Sequence, residues 1–258
     1  MSRPYIQVDS VRKVYNPGRG QIEAIKHVSL DVAEGEFVSI IGPSGCGKST
    51  LLMMIGGLEP ATAGRIDIDG QEVAGPRRGS SIVFQDATLL PWKTVMENVI
   101  FPIKIQRKQQ APYRKRAGEL LDLVGLAGFS NKRPHELSGG MRQRAAICRA
   151  LIDDPDILLM DEPFSALDAI TRDELNVALA DIWERYRKTA LFVTHSIREA
   201  VFLSDRVLVM TQRPATIAQE VEISFKRPRD LDIGESPEFN QICAQLRSTI
   251  EAVRGKAQ

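Results

Sequence analysis

Cysteine is scarce in this 258-residue chain. The three present, Cys46, Cys148 and Cys243, are widely spaced and form no CxxC pair. That excludes a disulfide framework and a cysteine-rich zinc site, and it fits a reducing compartment. Charge of one sign is also lacking: 34 Lys and Arg stand against 33 Asp and Glu, which leaves +1. A bulk electrostatic nucleic-acid binder is excluded, and there is no global pull toward an anionic membrane. Few aromatic residues accompany the one basic stretch, residues 106–116, which reads as a solvated helix face. Long hydrophobic runs are missing as well. Residues 1–8 hold no apolar core of a signal peptide, which predicts no secretory signal. The apolar stretch 51–58 is broken by Gly56 and Gly57 and is far short of the ~20 residues that span a bilayer. If the protein works at a membrane, another chain supplies the membrane part.

What is present suits a folded domain of ordinary composition, with 43% hydrophobic and 26% charged residues. Period-2 alternation marks half-buried antiparallel strands at Ile6 and Val8, at Val28, Leu30 and Val32, and at Ile66 and Ile68. A second strand type follows. Residues 37–41, 82–84, 157–160, 191–193 and 207–210 are short, nearly continuous apolar runs, as in a parallel sheet covered on both faces. Helical stretches between them make the core α/β. Thr94 and Glu97 form a capping-box pattern, and Tyr113, Ala117, Leu120, Leu121 and Val124 line one helix face that ends at Gly125. Residues 88–150 therefore read as a helical insertion, and a last helix is expected from about 237 to 253.

The chemistry lies in three stretches. Gly42-Pro43-Ser44-Gly45-Cys46-Gly47-Lys48-Ser49 follows the strand 37–41 and precedes a helical run that starts at Thr50. Strand, glycine loop and helix together make a phosphate cradle. Backbone N–H groups would face phosphate oxygens, Lys48 would reach the β- and γ-phosphates, and the Ser49 hydroxyl can ligate Mg²⁺. Cys46 reads either as a side chain that packs within the loop or, on a positive helix start with the site empty, as one that favours its thiolate. The apolar strand 157–160 ends in Asp161 and Glu162; the first suits Mg²⁺ and the second suits a water that attacks phosphorus. Leu137-Ser138-Gly139-Gly140-Met141-Arg142-Gln143 is a second glycine-rich helix start. By itself it is open between an anion site and a capped helix.

The last stretch resembles the signature of ATP-binding-cassette (ABC) ATPases, and the remaining motifs of that family appear in the family's order. Tyr15 occupies the place of the adenine-stacking aromatic, Gln85 that of the Q-loop glutamine, Ser165-Ala166-Leu167-Asp168 that of the D-loop, and His195 that of the switch histidine. The resemblance implies catalytic roles for Glu162, Gln85 and His195 and Mg²⁺ contacts from Ser49, Gln85 and Asp161. It implies ATP contacts from Tyr15 and from residues 42–50, through Thr50. It further implies head-to-tail pairing of two such chains, identical or similar, in which Ser138, Gly139, Gly140, Met141 and Gln143 serve the partner's ATP in trans. The expected fold is a P-loop NTPase core with a mostly parallel sheet, an N-terminal antiparallel β-subdomain and a helical insertion. Residues 1–258 would be one nucleotide-binding domain, with 1–87 and 151–225 as core and β-subdomain, 88–150 helical, and 226–258 a tail.

Leu89-Leu90-Pro91-Trp92, followed by Thr94-Val95 and Asn98-Val99, resembles the nitrate, sulfonate and taurine importer group. So do Arg213-Pro214 and the Arg227-Pro228-Arg229 tail, although Ala215-Thr216-Ile217 departs from the group's pattern. The resemblance implies an integral-membrane permease as partner, a solute-binding protein indirectly, no nucleic acid, and a peripheral place on the cytoplasmic face of the inner membrane. Two alternatives stand beside it: an ABC ATPase with no membrane partner, and a P-loop kinase active as a lone monomer.

Overall fold

The computed structural model describes residues 4–16, 18 and 20–255. The chain opens with β1 (Ile6–Tyr15) and β2 (Ile22–Val32), then enters β3 (Phe37–Ile41) and α1 (Lys48–Ile55). β4 (Ala63–Ile68) and the short β5 (Gln71–Glu72) complete an antiparallel sheet of order β2-β1-β4-β5. The alternating residues explain it: Ile6, Val8, Val11, Val28, Ile66 and Ile68 are buried while their neighbours in sequence face outward.

After β6 (Ser80–Val83) come four helices, α2 (Val95–Val99), α3 (Phe101–Ile105), α4 (Gln110–Leu123) and α5 (Gly139–Leu151). The predicted capping box is formed at α2, with the Thr94 hydroxyl accepting from Glu97 N and the Glu97 carboxylate accepting from Thr94 N. Next come β7 (Ile157–Asp161), α6 (Ala169–Tyr186), β8 (Thr189–Val193), α7 (Ile197–Leu203), β9 (Arg206–Met210), β10 (Ile217–Glu222) and α8 (Pro237–Gly255).

The second sheet has the order β10-β9-β3-β8-β7-β6, with only β10 antiparallel to its neighbour. Its five parallel strands are the five apolar runs. Their alternate residues feed two cores: Phe37, Leu158, Met160, Phe192, Val207 and Val209 face the helical side. Val38, Ile40, Leu159, Leu191, Val193 and Leu208 face α1 and the antiparallel sheet. Burial on both sides is why β3, β7, β8 and β9 carry no polar alternation, whereas β6, at the edge, opens on two half-buried serines. One bridge, Ile25 to Ala215, ties the two sheets together. The tail is fastened too. The buried Arg229 donates to the carbonyls of Val201, Phe202 and Ser204 at the end of α7, and Arg227 pairs with Asp205 at 2.9 Å over the Trp183 ring.

Candidate nucleotide site

Parallel strands all point their carboxyl ends to one edge, and ligands of open α/β sheets bind there. β3 ends in the glycine loop, which is wound tightly. Gly42 has φ +158°, and a Cβ on it would lie 2.8 Å from the Met210 carbonyl oxygen; Gly47, at φ +102°, would carry a Cβ 3.1 Å from the Ala24 oxygen. α1 starts at Lys48, two residues earlier than the sequence pattern suggested, because the loop itself supplies the turn. Lys48 Nζ lies 3.4 Å from Gly42 O and 3.4 Å from Glu162 Oε1.

β7 ends beside it. The Ser49 hydroxyl donates to Asp161 Oδ1 at 2.9 Å. Burial pushes the Asp161 carboxyl above its ordinary range, and the Ser49 bond and Lys48 partly oppose that. Glu162 sits at φ +45°, a left-handed conformation that costs a non-glycine residue on the order of 1–3 kcal/mol. The turn is over-determined: Glu162 N donates to Val193 O at 2.9 Å, and the Ser165 hydroxyl donates to Glu162 O at 3.0 Å. β8 leads to His195, whose Nδ1 is 3.3 Å from Glu162 Oε2. Beneath it, Ser196 N donates to the Thr194 hydroxyl, which donates to the buried Glu199 carboxylate at 2.6 Å. Arg172 on α6 braces that carboxylate at 3.4 Å.

These ends line a groove of about 220 Å³ that includes Tyr15, Lys48, Ser49, Thr50, Glu162 and Arg213. Volume does not mark the site: a hollow of about 390 Å³ beside β4 is larger and has no phosphate-loop residue in its walls. Tyr15 places its hydroxyl 3.4 Å from Thr50 Oγ1, and the Lys13 ammonium lies 4.8 Å from its ring centre. Sequence reasoning missed Arg213 as a wall of the groove, and Thr194, Glu199 and Arg172 as the brace under His195. The Ser196–Glu199 spacing was a visible capping signal for the brace.

The donor set at Ser49 and Asp161 is hard oxygen, one hydroxyl and one carboxylate. That fits Mg²⁺, which takes few protein ligands and completes its shell with water and phosphate oxygens. Among the described residues no cluster of three or more His, Cys, Asp or Glu forms a cage for a metal.

Other expected site residues stand outside the groove. Gln85 is exposed in the bend after β6. Ser138 caps α5, accepting from Met141 N at 3.2 Å, and Gly140 lets α5 approach α6, since a Cβ there would lie 2.4 Å from Thr171 Cγ2. Gln143 is buried and donates to Phe84 O at 3.1 Å, which ties α5 to the end of β6. Asp168 caps α6, its Oδ1 accepting from Thr171 N at 3.0 Å. The loop 89–92 divides. Leu89 packs on the helical core, whereas Trp92 is 67% exposed. Asn98, fully buried, cinches this loop by accepting from Leu90 N and donating to the carbonyls of Leu90, Lys93 and Thr94.

One expectation is overturned. Cys46 is only 2% exposed, packed in the core beneath the loop, and burial raises its thiol pKa more than Lys48 and Arg213 lower it. It is a protonated packing residue and not a reactive thiolate.

Comparison with known proteins agrees with this geometry. The family model described as ABC transporter matches residues 25–165. The nitrate import ATP-binding protein NrtD of Synechococcus elongatus is 45% identical over 242 residues, 92% of this chain and 88% of that one. The taurine import ATP-binding protein TauB of Rhizobium johnstonii is 46% identical over 238 residues, 90% of this chain and 89% of its own length. The solved dimeric structure of MJ0796, a bacterial ABC transporter cassette, superposes with a TM-score of 0.76 at 36% identity, covering 86% of this chain and all of the other. A post-hydrolysis dimer of that cassette with ADP and Pi gives 0.74 at 35% identity, with the same coverage. The chain belongs to the ABC transporter family, as an ATP-binding ATPase subunit.

Proposed function

We propose that this chain hydrolyses ATP to energise import of a small solute such as nitrate, taurine or another sulfonate through a separate membrane permease. The reading is carried by the exposed Trp92, held out on a loop that a fully buried asparagine fastens. With Pro91 exposed and Leu90 half-buried beside it, the indole belongs to a contiguous apolar patch of the kind that serves as a partner surface. The import functions named for the relatives support the direction of transport. The contacts from α5 to this loop support coupling: Gln143 holds Phe84, and Arg149 holds the carbonyls of Ala87 and Thr88 at 2.8 Å. A push at Trp92 would reach the helix that Ser138 caps. On this reading residues 88–150 are the subdomain that meets the permease, with a solute-binding protein beyond it, and the chain works at the cytoplasmic face of the membrane.

ATP would lie along the groove with adenine on Tyr15 and phosphates on residues 42–50. Ser49 and Asp161, with Gln85, would hold Mg²⁺, which would supply positive charge to offset that of the polyphosphate. Lys48 would leave Glu162 for the phosphates, and the freed carboxylate would orient the attacking water while His195 steadies the γ-phosphate. Ser138, Gly139 and Gly140 would close the site of a second copy, or of a similar ATPase, which makes hydrolysis depend on the dimer; the dimeric cassette structures support this.

The test is reconstitution. The chain is co-expressed with a candidate permease and solute-binding protein, and ATP-driven uptake of labelled nitrate or taurine into vesicles is measured. Uptake that needs all three supports the reading. A chain that never associates with a membrane subunit, yet hydrolyses ATP at full rate alone, overturns it in favour of an ABC ATPase without a membrane partner.

A further inference from the structure

The loop 211–216 joins β9 to β10 and is fastened at both ends. Thr211 N donates to Thr216 O at 2.9 Å, and Thr216 N donates to the Thr211 hydroxyl at 2.9 Å. Ala215 is fully buried against the antiparallel sheet: its N–H donates to Ala24 O and its carbonyl accepts from Lys26 N, both at 3.0 Å. Between these anchors Arg213 and Pro214 are exposed. The Arg213 guanidinium turns back over the phosphate loop, so that a Cβ on Gly45 would lie 2.9 Å from Nη2. It shares the groove with Lys48, Ser49 and Thr50.

The two cations of the groove are placed differently. Lys48 is buried and held by Glu162. Arg213 enters no ion pair among the described residues, and it comes from β9, on the opposite flank of β3 from β8 and β7. Lys48, Glu162 and His195 thus stand on one side of the phosphate loop and Arg213 on the other. An exposed guanidinium on a preorganised loop, next to backbone that cradles anions, has one complementary ligand class here: phosphate oxygens, which it binds bidentately. The ordering cost is small because the loop is already fastened.

We propose that Arg213 binds the nucleotide directly, donating hydrogen bonds to the polyphosphate across Gly45 as a second cation facing Lys48. This rests on the groove being the ATP site, and the test separates the two. ATP and ADP affinities and steady-state ATPase rates are measured on the full chain for wild type, Arg213→Gln, Arg213→Lys and Lys48→Ala. A charge-assisted contact of this kind predicts about a tenfold or greater loss of ATP affinity in Arg213→Gln, seen in KM more than in kcat, with Arg213→Lys recovering part of it. The nucleotide-free melting temperature of Arg213→Gln stays at the wild-type value, since the side chain is exposed. Affinity within about twofold of wild type in Arg213→Gln, while Lys48→Ala loses binding, overturns the role of Arg213 alone. Retained binding in Lys48→Ala overturns the site itself.

Discussion

Lys48 and Glu162 hold each other at 3.4 Å where β3 and β7 end, and Glu162 meets His195 with its other oxygen at 3.3 Å. One carboxylate is thus shared between the phosphate-loop cation and an imidazole from β8. On the proposed reading, a polyphosphate entering the groove would compete for Lys48 with several negative charges against one. Winning that competition would free a carboxylate oxygen of Glu162. Loading of nucleotide and arming of Glu162 would then be the same event.

Glu162→Gln tests the second half of that event. The amide keeps the shape and loses the acceptor that orients water. Turnover falls ~10²–10⁴-fold while ATP binding persists, and ATP-bound dimers accumulate on gel filtration. A rate within about threefold of wild type removes Glu162 from catalysis.

Lys48→Ala tests the first half. The variant leaves the phosphates without their buried cation, so nucleotide affinity drops and turnover is abolished. Calorimetric titration with ATP reads the loss; unchanged affinity contradicts the phosphate-loop assignment.

Trp92 and Asn98 separate docking from folding. Trp92→Ala leaves the melting temperature of the isolated chain within about 1 °C and weakens assembly with the permease, where a central indole carries ~2 kcal/mol or more. Asn98→Leu leaves Leu90 N and Lys93 O without the partner that the side chain supplies, while Leu90 O and Thr94 O keep backbone donors in Lys93 N and in the N–H of residue 98. It lowers stability by about 2–4 kcal/mol, read by urea denaturation. A large stability loss in Trp92→Ala would show that the indole packs internally.

The cysteines predict alkaline behaviour. All three are buried thiols, and burial pushes Cys148 up to about 12 from the ordinary 9.0. A folded pKa above the unfolded one means the folded state keeps its proton longer. Stability is full below pH 9 and falls as pH rises from 9 toward 12. Cys148→Ala flattens that fall, measured as urea midpoints at pH 8 and pH 10.5. In the native chain at pH 7, maleimide labels Cys46 far more slowly than an unfolded thiol; fast labelling there would mean that the loop opens.

Much of this molecule is local and therefore readable in its residues. The apolar runs gave away the parallel strands because two-sided burial leaves no room for polar alternation. The loop from Gly42 to Ser49, the capping box at Thr94 and Glu97, and the Ser138 cap each lie within about eight residues. Local backbone geometry decides them before any packing occurs. Of the two readings of Cys46, packing holds and the thiolate does not: its neighbours in sequence suggest a positive helix start, while burial in the β core raises its thiol pKa.

The amino-acid sequence by itself determined the fold class, the strand and helix pattern and the phosphate chemistry, because each depends on side-chain spacing along a few turns. The tertiary structure alone decided what those pieces meet. Ser49 reaches Asp161 across 112 residues, and Gln143 reaches Phe84 across 59. Glu162 became the shared partner of Lys48 and His195, Asn98 the clasp under Trp92, and Arg213 a wall of the nucleotide groove. Such pairings arise only when strand order places the ends of β3, β7, β8 and β9 at one edge of a sheet, and that order is a property of the whole chain's packing.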